Sequence, residues 1–221
     1  MRDPVLIMDE HYQKQVEYSH YNFSRYITKK RWISYWHQLD EVFKCNPTNI
    51  LEIGVGSGIL KTLCTHFGID VKTTDIDQEL KPDYVASVLN LPFDDDSFDL
   101  ISCFQVLEHI RYEDFIKALM ELYRVARRFV IISLPDAQEL WPYQLYIQKV
   151  GPLRFYIPRP RIREREHKFD GEHYWEINKK GYPLNRIIFD IKKSGFIVEK
   201  SYRVNENPYH RFFIMKTGKR K

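Results

Sequence analysis

Asn49-Ile50-Leu51-Glu52-Ile53-Gly54-Val55-Gly56-Ser57-Gly58 decides the fold. Ile50, Leu51, Ile53 and Val55 make a short apolar run broken only by Glu52, and three glycines at alternate positions then end it. Ile59 to Phe67 can continue as a helix. The pattern is strand, tight turn, helix, the opening unit of a nucleotide-binding α/β sheet. A dinucleotide fingerprint wants Gly-x-Gly-x-x-Gly; here the third glycine comes one residue early and Ile59 fills its place, which disfavours a nicotinamide dehydrogenase.

Working outward, Val71 to Asp77 reads as the second strand and Tyr84 to Ser87 as a short third. Asp75 lies where an acidic residue accepts ribose hydroxyls, two vicinal donors meeting one carboxylate. Leu100 to Phe104 is the fourth strand, entered through Leu91-Pro92-Phe93, a run of three aspartates (Asp94 to Asp96) that reads as a solvated turn, and Ser97-Phe98-Asp99. Tyr112 to Arg127 has the spacing of an amphipathic helix, and Arg128 to Pro135 that of a buried strand. Strands alternating with helices predict a parallel sheet with right-handed crossovers. A helix at 181–194 and strands at 196–204 and 210–216 close the chain.

Two segments stand apart. Residues 10–44 read as one or two helices, with Trp32, Trp36, Leu39 and Phe43 forming a stripe expected to dock on the sheet. Residues 136–178 form an insertion rich in aromatics, proline and arginine, in which Trp141 to Ile147 is expected to be a short lid helix closing over the site. Arg159, Arg161, Arg163 and Arg165 alternate, so an extended segment would set all four on one face.

Glu52 followed by Gly-x-Gly-x-Gly, then Leu-Pro-Phe, Ser-Phe-Asp and Val106-Leu107-Glu108-His109 in order, resembles the class I S-adenosylmethionine (SAM) dependent methyltransferases, small-molecule (type 11-like) branch. The resemblance covers about residues 45–217. It implies a Rossmann-like, seven-stranded, mostly parallel sheet with a C-terminal antiparallel hairpin, helices on both faces and an N-terminal helical extension. The division it implies is a helical cap at 1–45 and a methyltransferase domain at 46–221. It also implies SAM as cofactor. Gly54, Gly56 and Gly58 would line its methionine and ribose side, Glu52 would organise the loop, and Asp75 would take the ribose. Ser87, Val88 and Leu89 would meet the adenine, Ser87 standing where the family often has aspartate. Gln105 would face the same cleft, with Tyr26 or Arg31 at the methionine carboxylate.

Methyl transfer from a sulfonium needs positioning, a dry site and sometimes a base. His109, His167 and His173 are the histidines to weigh, and His173 and His109 are the candidates carried forward. Gln105-x-x-Glu108-His109 is similar to a Glu-x-x-Glu-His metal site, but the first ligand is glutamine, and no metal is expected. Asn207-Pro208-Tyr209 is similar to a nucleobase methyltransferase motif, yet it lies in the terminal hairpin, where a turn is expected.

Composition bounds the rest. The 221 residues, 43% hydrophobic and 29% charged, suit one elaborated α/β domain. Cys45, Cys64 and Cys103 are odd in number and widely spaced, giving neither a disulfide framework nor zinc spacing. The Val5–Met8 run is too short for a signal peptide and nothing approaches a membrane span, so a cytoplasmic protein is expected. Net charge is +4, and Arg154 to Lys168 carries six cations against two carboxylates. That favours an anionic or amphipathic small-molecule acceptor, phosphorylated, glycosyl or lipid-linked. The alternatives are an RNA or protein methyltransferase, with nucleic acid disfavoured, or a SAM-binding interaction module without turnover. The sequence leaves the oligomeric state open.

Overall fold

A seven-stranded sheet, with strand order β3-β2-β1-β4-β5-β9-β8, carries the molecule in a computed structural model that describes residues 12–160 and 165–219. Its centre is β1 (Asn49–Ile53), paired in parallel with β2 (Asp70–Asp75) on one side and β4 (Phe98–Phe104) on the other. β3 (Tyr84–Val85) and β5 (Ala126–Pro135) extend the parallel run. β9 (His210–Lys216) then pairs antiparallel with β5, and β8 (Ile197–Arg203) antiparallel with β9. This is the expected C-terminal hairpin.

Both faces of the sheet are covered, which is why its strands read as near-continuous apolar runs. Leu51, Ile53 and Ile132 face one core with α4 (Tyr112–Val125) and α5 (Leu184–Lys193). Ile50, Leu100 and Ile131 face the other with α2 (Lys29–Lys44) and α3 (Ile59–His66). The three cysteines are free and buried.

The N-terminal extension corrects three of the four residues of the expected docking stripe; Leu39 does pack against the core of Ile50 and Leu100. A short α1 (Phe23–Tyr26) precedes α2, whose Trp32, Trp36 and Phe43 stay 48%, 56% and 39% exposed. The buried positions are Ser34, Gln38, Glu41 and Val42. The docked face carries Val42, with Ile33 and Leu39 beside it, against the core, and polar partners across the sheet edge join it. Asn207 donates to Ser34 Oγ at 3.1 Å, and Lys200 meets Glu41 at 2.5 Å across to β8.

The insertion is corrected more sharply. Trp141 to Ile147 is no helix: β6 (Leu140–Ile147) and β7 (Gly151–Pro158) form a separate two-stranded hairpin. Pro142 removes a helical donor, and the aromatic and branched residues around it suit a pleated strand. At the insertion's root Asp136 is buried between Arg211, 2.8 Å away, and Arg203, 3.3 Å away, and accepts from Asn178 at 2.9 Å. The Ala137 N–H bonds the Ile177 carbonyl at 2.9 Å, so the two ends of the insertion meet. The arginine comb does not stand free. Arg159 and Arg165 both pair with Glu139, and Arg154 pairs with Glu206. Arg161 and Arg163, like the Val5–Met8 run, lie outside the described residues.

Candidate functional site

Chain order reverses between β1 and β4, and a cleft opens there at the carboxyl ends of the parallel strands, as expected for an open α/β sheet. It encloses about 940 Å³ counted to its open mouth. Its walls include Gly54, Gly56, Asp75, Ser87, Val88, Phe104, Gln105 and Val106.

The glycine loop is fixed from beneath. Gly54 has φ +82°, and a Cβ there would lie 2.5 Å from a Val106 methyl carbon, so both conformation and space exclude a side chain. Gly58, at φ +70°, has open space at its Cβ position and serves only the left-handed turn that starts α3. It lines a neighbouring hollow with Ser57, not the main cleft. Asp75 Oδ2 accepts from the Val55 N–H at 2.8 Å, and Oδ1 from the Asp77 N–H at 2.9 Å. Burial raises the Asp75 carboxyl, and the hydrogen bonds from the Asp77 and Val55 N–H groups offset part of that. The aspartate thus ties the loop to β2 while standing in the cleft wall.

Other expected residues divide. Ser87 and Val88 reach the cleft; Leu89 is buried, and its N–H donates to Ser87 Oγ at 3.2 Å. Gln105 holds φ +55°, a strained value for a side-chain-bearing residue, kept by two bonds to Ser133: N–H to carbonyl at 3.0 Å and Nε2 to Oγ at 3.1 Å. Glu52 does not line the cleft. It is buried under the loop, where burial pushes its carboxyl up to about 8, and its Oε2 has no partner among the described residues.

The N-terminal segment supplies a wall that residue patterns did not reveal. Tyr12, Gln15 and Tyr21 line the cleft, and the Tyr21 ring stands 3.6 Å from the Cβ position of Gly56. Lys14 pins this segment to Glu79 at 2.5 Å, and Tyr12 bonds Asp114. Tyr35 of α2 reaches Ser57 Oγ at 2.7 Å. The region carries many tyrosines and no periodicity, so the only signal was composition. Of the expected pair, Tyr26 lines the cleft. Arg31 stands behind it, its guanidinium 4.0 Å from the ring centroid and 2.9 Å from the hydroxyl.

Beyond Gln105 lies a polar cluster. His109 lines the cleft, and its Nδ1 meets the Glu172 carbonyl at 3.0 Å and Gln15 Oε1 at 2.5 Å. Both partners accept, so Nδ1 carries the proton and Nε2 keeps the lone pair. Burial, with His173 nearby, lowers the His109 pKa to about 4, leaving the ring neutral near pH 7. His173 sits behind it, ring centroids 5.1 Å apart, its Nδ1 3.1 Å from Glu176. Burial lowers the His173 pKa, but the Glu176 hydrogen bond and the Glu108 charge outweigh it and the net shift is upward. His167 bonds the His173 carbonyl at 2.7 Å. Tyr209, in the turn after β8, donates to Glu176 at 2.6 Å, a contact the sequence did not reveal. Glu108 is fully buried with both oxygens unpartnered among the described residues, and burial raises it to about 7. The ligand atoms of Glu108, His109 and His173 all lie within 4.8 Å of one another, close enough to share one ion.

A family model described as a methyltransferase domain matches residues 51–132. Over 83 residues the chain is 35% identical to an uncharacterised protein of Methanocaldococcus jannaschii. That stretch is 35% of this chain and 36% of the other, so the chain matches about a third of its relative's length. Among solved structures, a Burkholderia thailandensis 1,6-didemethyltoxoflavin-N1-methyltransferase, with bound 1,6-didemethyltoxoflavin and S-adenosylhomocysteine, aligns at TM-score 0.60 and 15% identity over 90% of this chain and 84% of that one. The PH0226 protein of Pyrococcus horikoshii aligns at 0.58 and 15%, over 89% and 92%. Magnesium protoporphyrin IX methyltransferase from Synechocystis, with bound SAM, aligns at 0.52 and 15%, over 85% and 78%. At such identities these likenesses show the fold.

Proposed function

We propose that this chain is a class I SAM-dependent methyltransferase that transfers the methyl group of SAM to a small acceptor lying against His109, a reading supported by its fold and by the methyltransferase-domain match at residues 51–132. One observation carries the reading: the Gly54–Gly58 loop and Asp75 meet at the strand-order reversal, bonded to each other through Val55. The residues fit the cofactor. Gly54 and Gly56 present bare main chain at the wall, and the Asp75 carboxylate stands beside them for a ribose diol. Ser87 and Val88 are placed to meet the adenine, and Tyr26, backed by Arg31, to meet the methionine end.

SAM, when bound, supplies a methyl group on an already activated sulfur. The chain's share is to hold both reactants in line, exclude water and take a proton where the acceptor has one to lose. His109 fits the last task better than His173, because it lines the cleft with a neutral ring whose Nε2 has no hydrogen-bond partner among the described residues. His173, held by Glu176, positions that region from behind.

The acceptor reading is an anionic or amphipathic small molecule. Arg31 beside Tyr26, and the basic aromatic insertion rooted at the same edge of the sheet, support it. Calorimetry with SAM and with NAD, followed by turnover of methyl-labelled SAM against metabolite pools, tests the whole. SAM should bind at micromolar levels and NAD should not. Binding without turnover in any pool would instead favour an interaction module. Dialysis against a chelator should leave turnover intact; loss restored by one divalent ion would turn the Glu108 cluster into a metal centre.

A further inference from the structure

Gln15 grips one residue twice. Its Nε2 donates to the His109 carbonyl at 3.1 Å, and its Oε1 lies 2.5 Å from Nδ1 of the same histidine, 94 residues along the chain. A carbonyl oxygen can only accept, so Nε2 must face it and Oε1 must face the ring. In that orientation of the amide, Nδ1 has to donate. The Glu172 carbonyl, 3.0 Å from the same nitrogen, is a second and longer acceptor for that one proton. The stretch that carries Gln15 is held down on both sides of the cleft. Lys14 pairs with Glu79 at 2.5 Å, four residues past Asp75. Tyr12 donates to Asp114 and accepts from the Arg111 N–H at 3.1 Å. Tyr12, Gln13 and Val16 line the cleft together with Gln15. The segment is a strap laid across the strand ends, with the amide clasp at its middle.

We propose that Gln15 is a positioning residue of the site: it keeps the His109 proton on Nδ1, so that the strap across the cleft sets which nitrogen can act as the base. This rests on the reading of His109 as the group that takes the acceptor's proton. In the other tautomer the ring would carry N–H at Nε2 and could accept only at Nδ1, the nitrogen that the strap covers. The other groups that act on this ring are His173 behind it, Glu108 within 4.8 Å, and Asp170 and His20 through their charge. None of them bonds Nδ1, so the choice of tautomer falls to Gln15 and the Glu172 carbonyl. Of the two, Gln15 is the closer, and it also holds the histidine's own main chain. It thereby fixes the ring relative to the backbone that carries it, which the Glu172 carbonyl alone does not.

The test is nuclear magnetic resonance of the histidine rings in the isotope-labelled full chain, as wild type, Gln15→Leu and Gln15→Glu. The His109 signals are identified by their loss in His109→Gln, and S-adenosylhomocysteine affinity is measured on the same samples. In the wild type Nδ1 should be the protonated nitrogen at pH 7, with a downfield, slowly exchanging proton. Gln15→Leu should speed the exchange of that proton about five-fold, the worth of one ordinary hydrogen bond. Gln15→Glu puts a carboxylate where the amide oxygen stands, and an opposite charge at that range should raise the His109 pKa by about one to three units. A role confined to folding would not produce that upward shift. A wild-type ring protonated at Nε2 overturns the proposal. So does unchanged exchange in Gln15→Leu, which gives the ring to Glu172 alone, or an unmoved pKa in Gln15→Glu. Wild-type protein that fails to bind S-adenosylhomocysteine counts against the methyltransferase reading, while the ring signals still decide the clasp.

Discussion

The two halves of the cleft are built from different material. The half proposed for the cofactor is mostly main chain and one carboxylate, gathered from consecutive strand ends: Gly54 and Gly56 after β1, Asp75 at the end of β2, Ser87 and Val88 after β3. The half beyond Gln105 is side chains drawn from four distant stretches: Gln15, Glu108 with His109, His173 with Glu176, and Tyr209. The first half can hold only what matches its backbone. The second can be rebuilt by changing side chains, and the proposed reading puts acceptor choice there.

Breaking the second half should give the largest effect. His109→Gln removes the Nε2 lone pair while keeping the ring's volume roughly filled, and turnover should fall about 10²- to 10⁴-fold. Affinity for S-adenosylhomocysteine should hold in calorimetry. Because the pKa of His109 is lowered to about 4, its neutral, basic form is lost only as pH falls through that value. The wild-type rate should therefore be flat in this group near pH 7 and decline near pH 4. A limb near 6.5 would mean another base.

Breaking the first half is a binding effect. Gly54→Val forces a side chain into Val106 at a positive φ, and affinity for S-adenosylhomocysteine should drop at least about a hundred-fold, from a strain of roughly 3 kcal/mol. Gly58→Ala, with open space at its Cβ, should leave cofactor binding nearly intact and cost only about 1 kcal/mol of stability. Equal losses in the two variants would contradict the division between cradle and turn.

Asp75→Ala comes next. A hydrogen bond to a charged group contributes about 1.5–3 kcal/mol, so calorimetric affinity should weaken ten- to a hundred-fold. The Val55 N–H loses its acceptor in this variant, so some melting-temperature loss should accompany it. Unchanged affinity would remove Asp75 from the ribose.

Legibility followed the same division. Strand, glycine turn and acidic strand end are local patterns, so β1, β2 and the residues on their tips could be read in order. The arrangement of Trp32, Trp36 and Phe43 misled because helical spacing identifies an apolar face without saying what meets it. Ser34 and Glu41 docked instead, since Asn207 and Lys200 were waiting for them. Trp141 to Ile147 is a strand and not the expected helix, because Trp141, Tyr143, Leu145 and Ile147 alternate and so fall on one side of a pleated ribbon. Tyr209 and Gln15 could not be found locally: each works through a partner more than thirty residues away.

The smallest expected effect lies beneath the loop. Glu52 is pushed from 4.5 to about 8 by burial, so the folded state holds its proton more tightly than the unfolded chain does. Its contribution to stability is complete below pH 4.5 and is lost as pH rises through 8. Glu52→Gln, permanently neutral, should gain on the wild type across that window, by on the order of 5–10 °C in Tm at its upper end. A constant difference at all pH values would place the carboxyl in water.

The root of the insertion has a consequence for reach. With Asp136 locked between Arg203 and Arg211, the hairpin is a strut fixed to the strands that frame the cleft. Eight residues per strand give it a length of roughly 26 Å. Whatever the hairpin meets is therefore held at a fixed place relative to the cleft, because Asp136 and its two arginines join the hairpin's root to the strands at the cleft's edge.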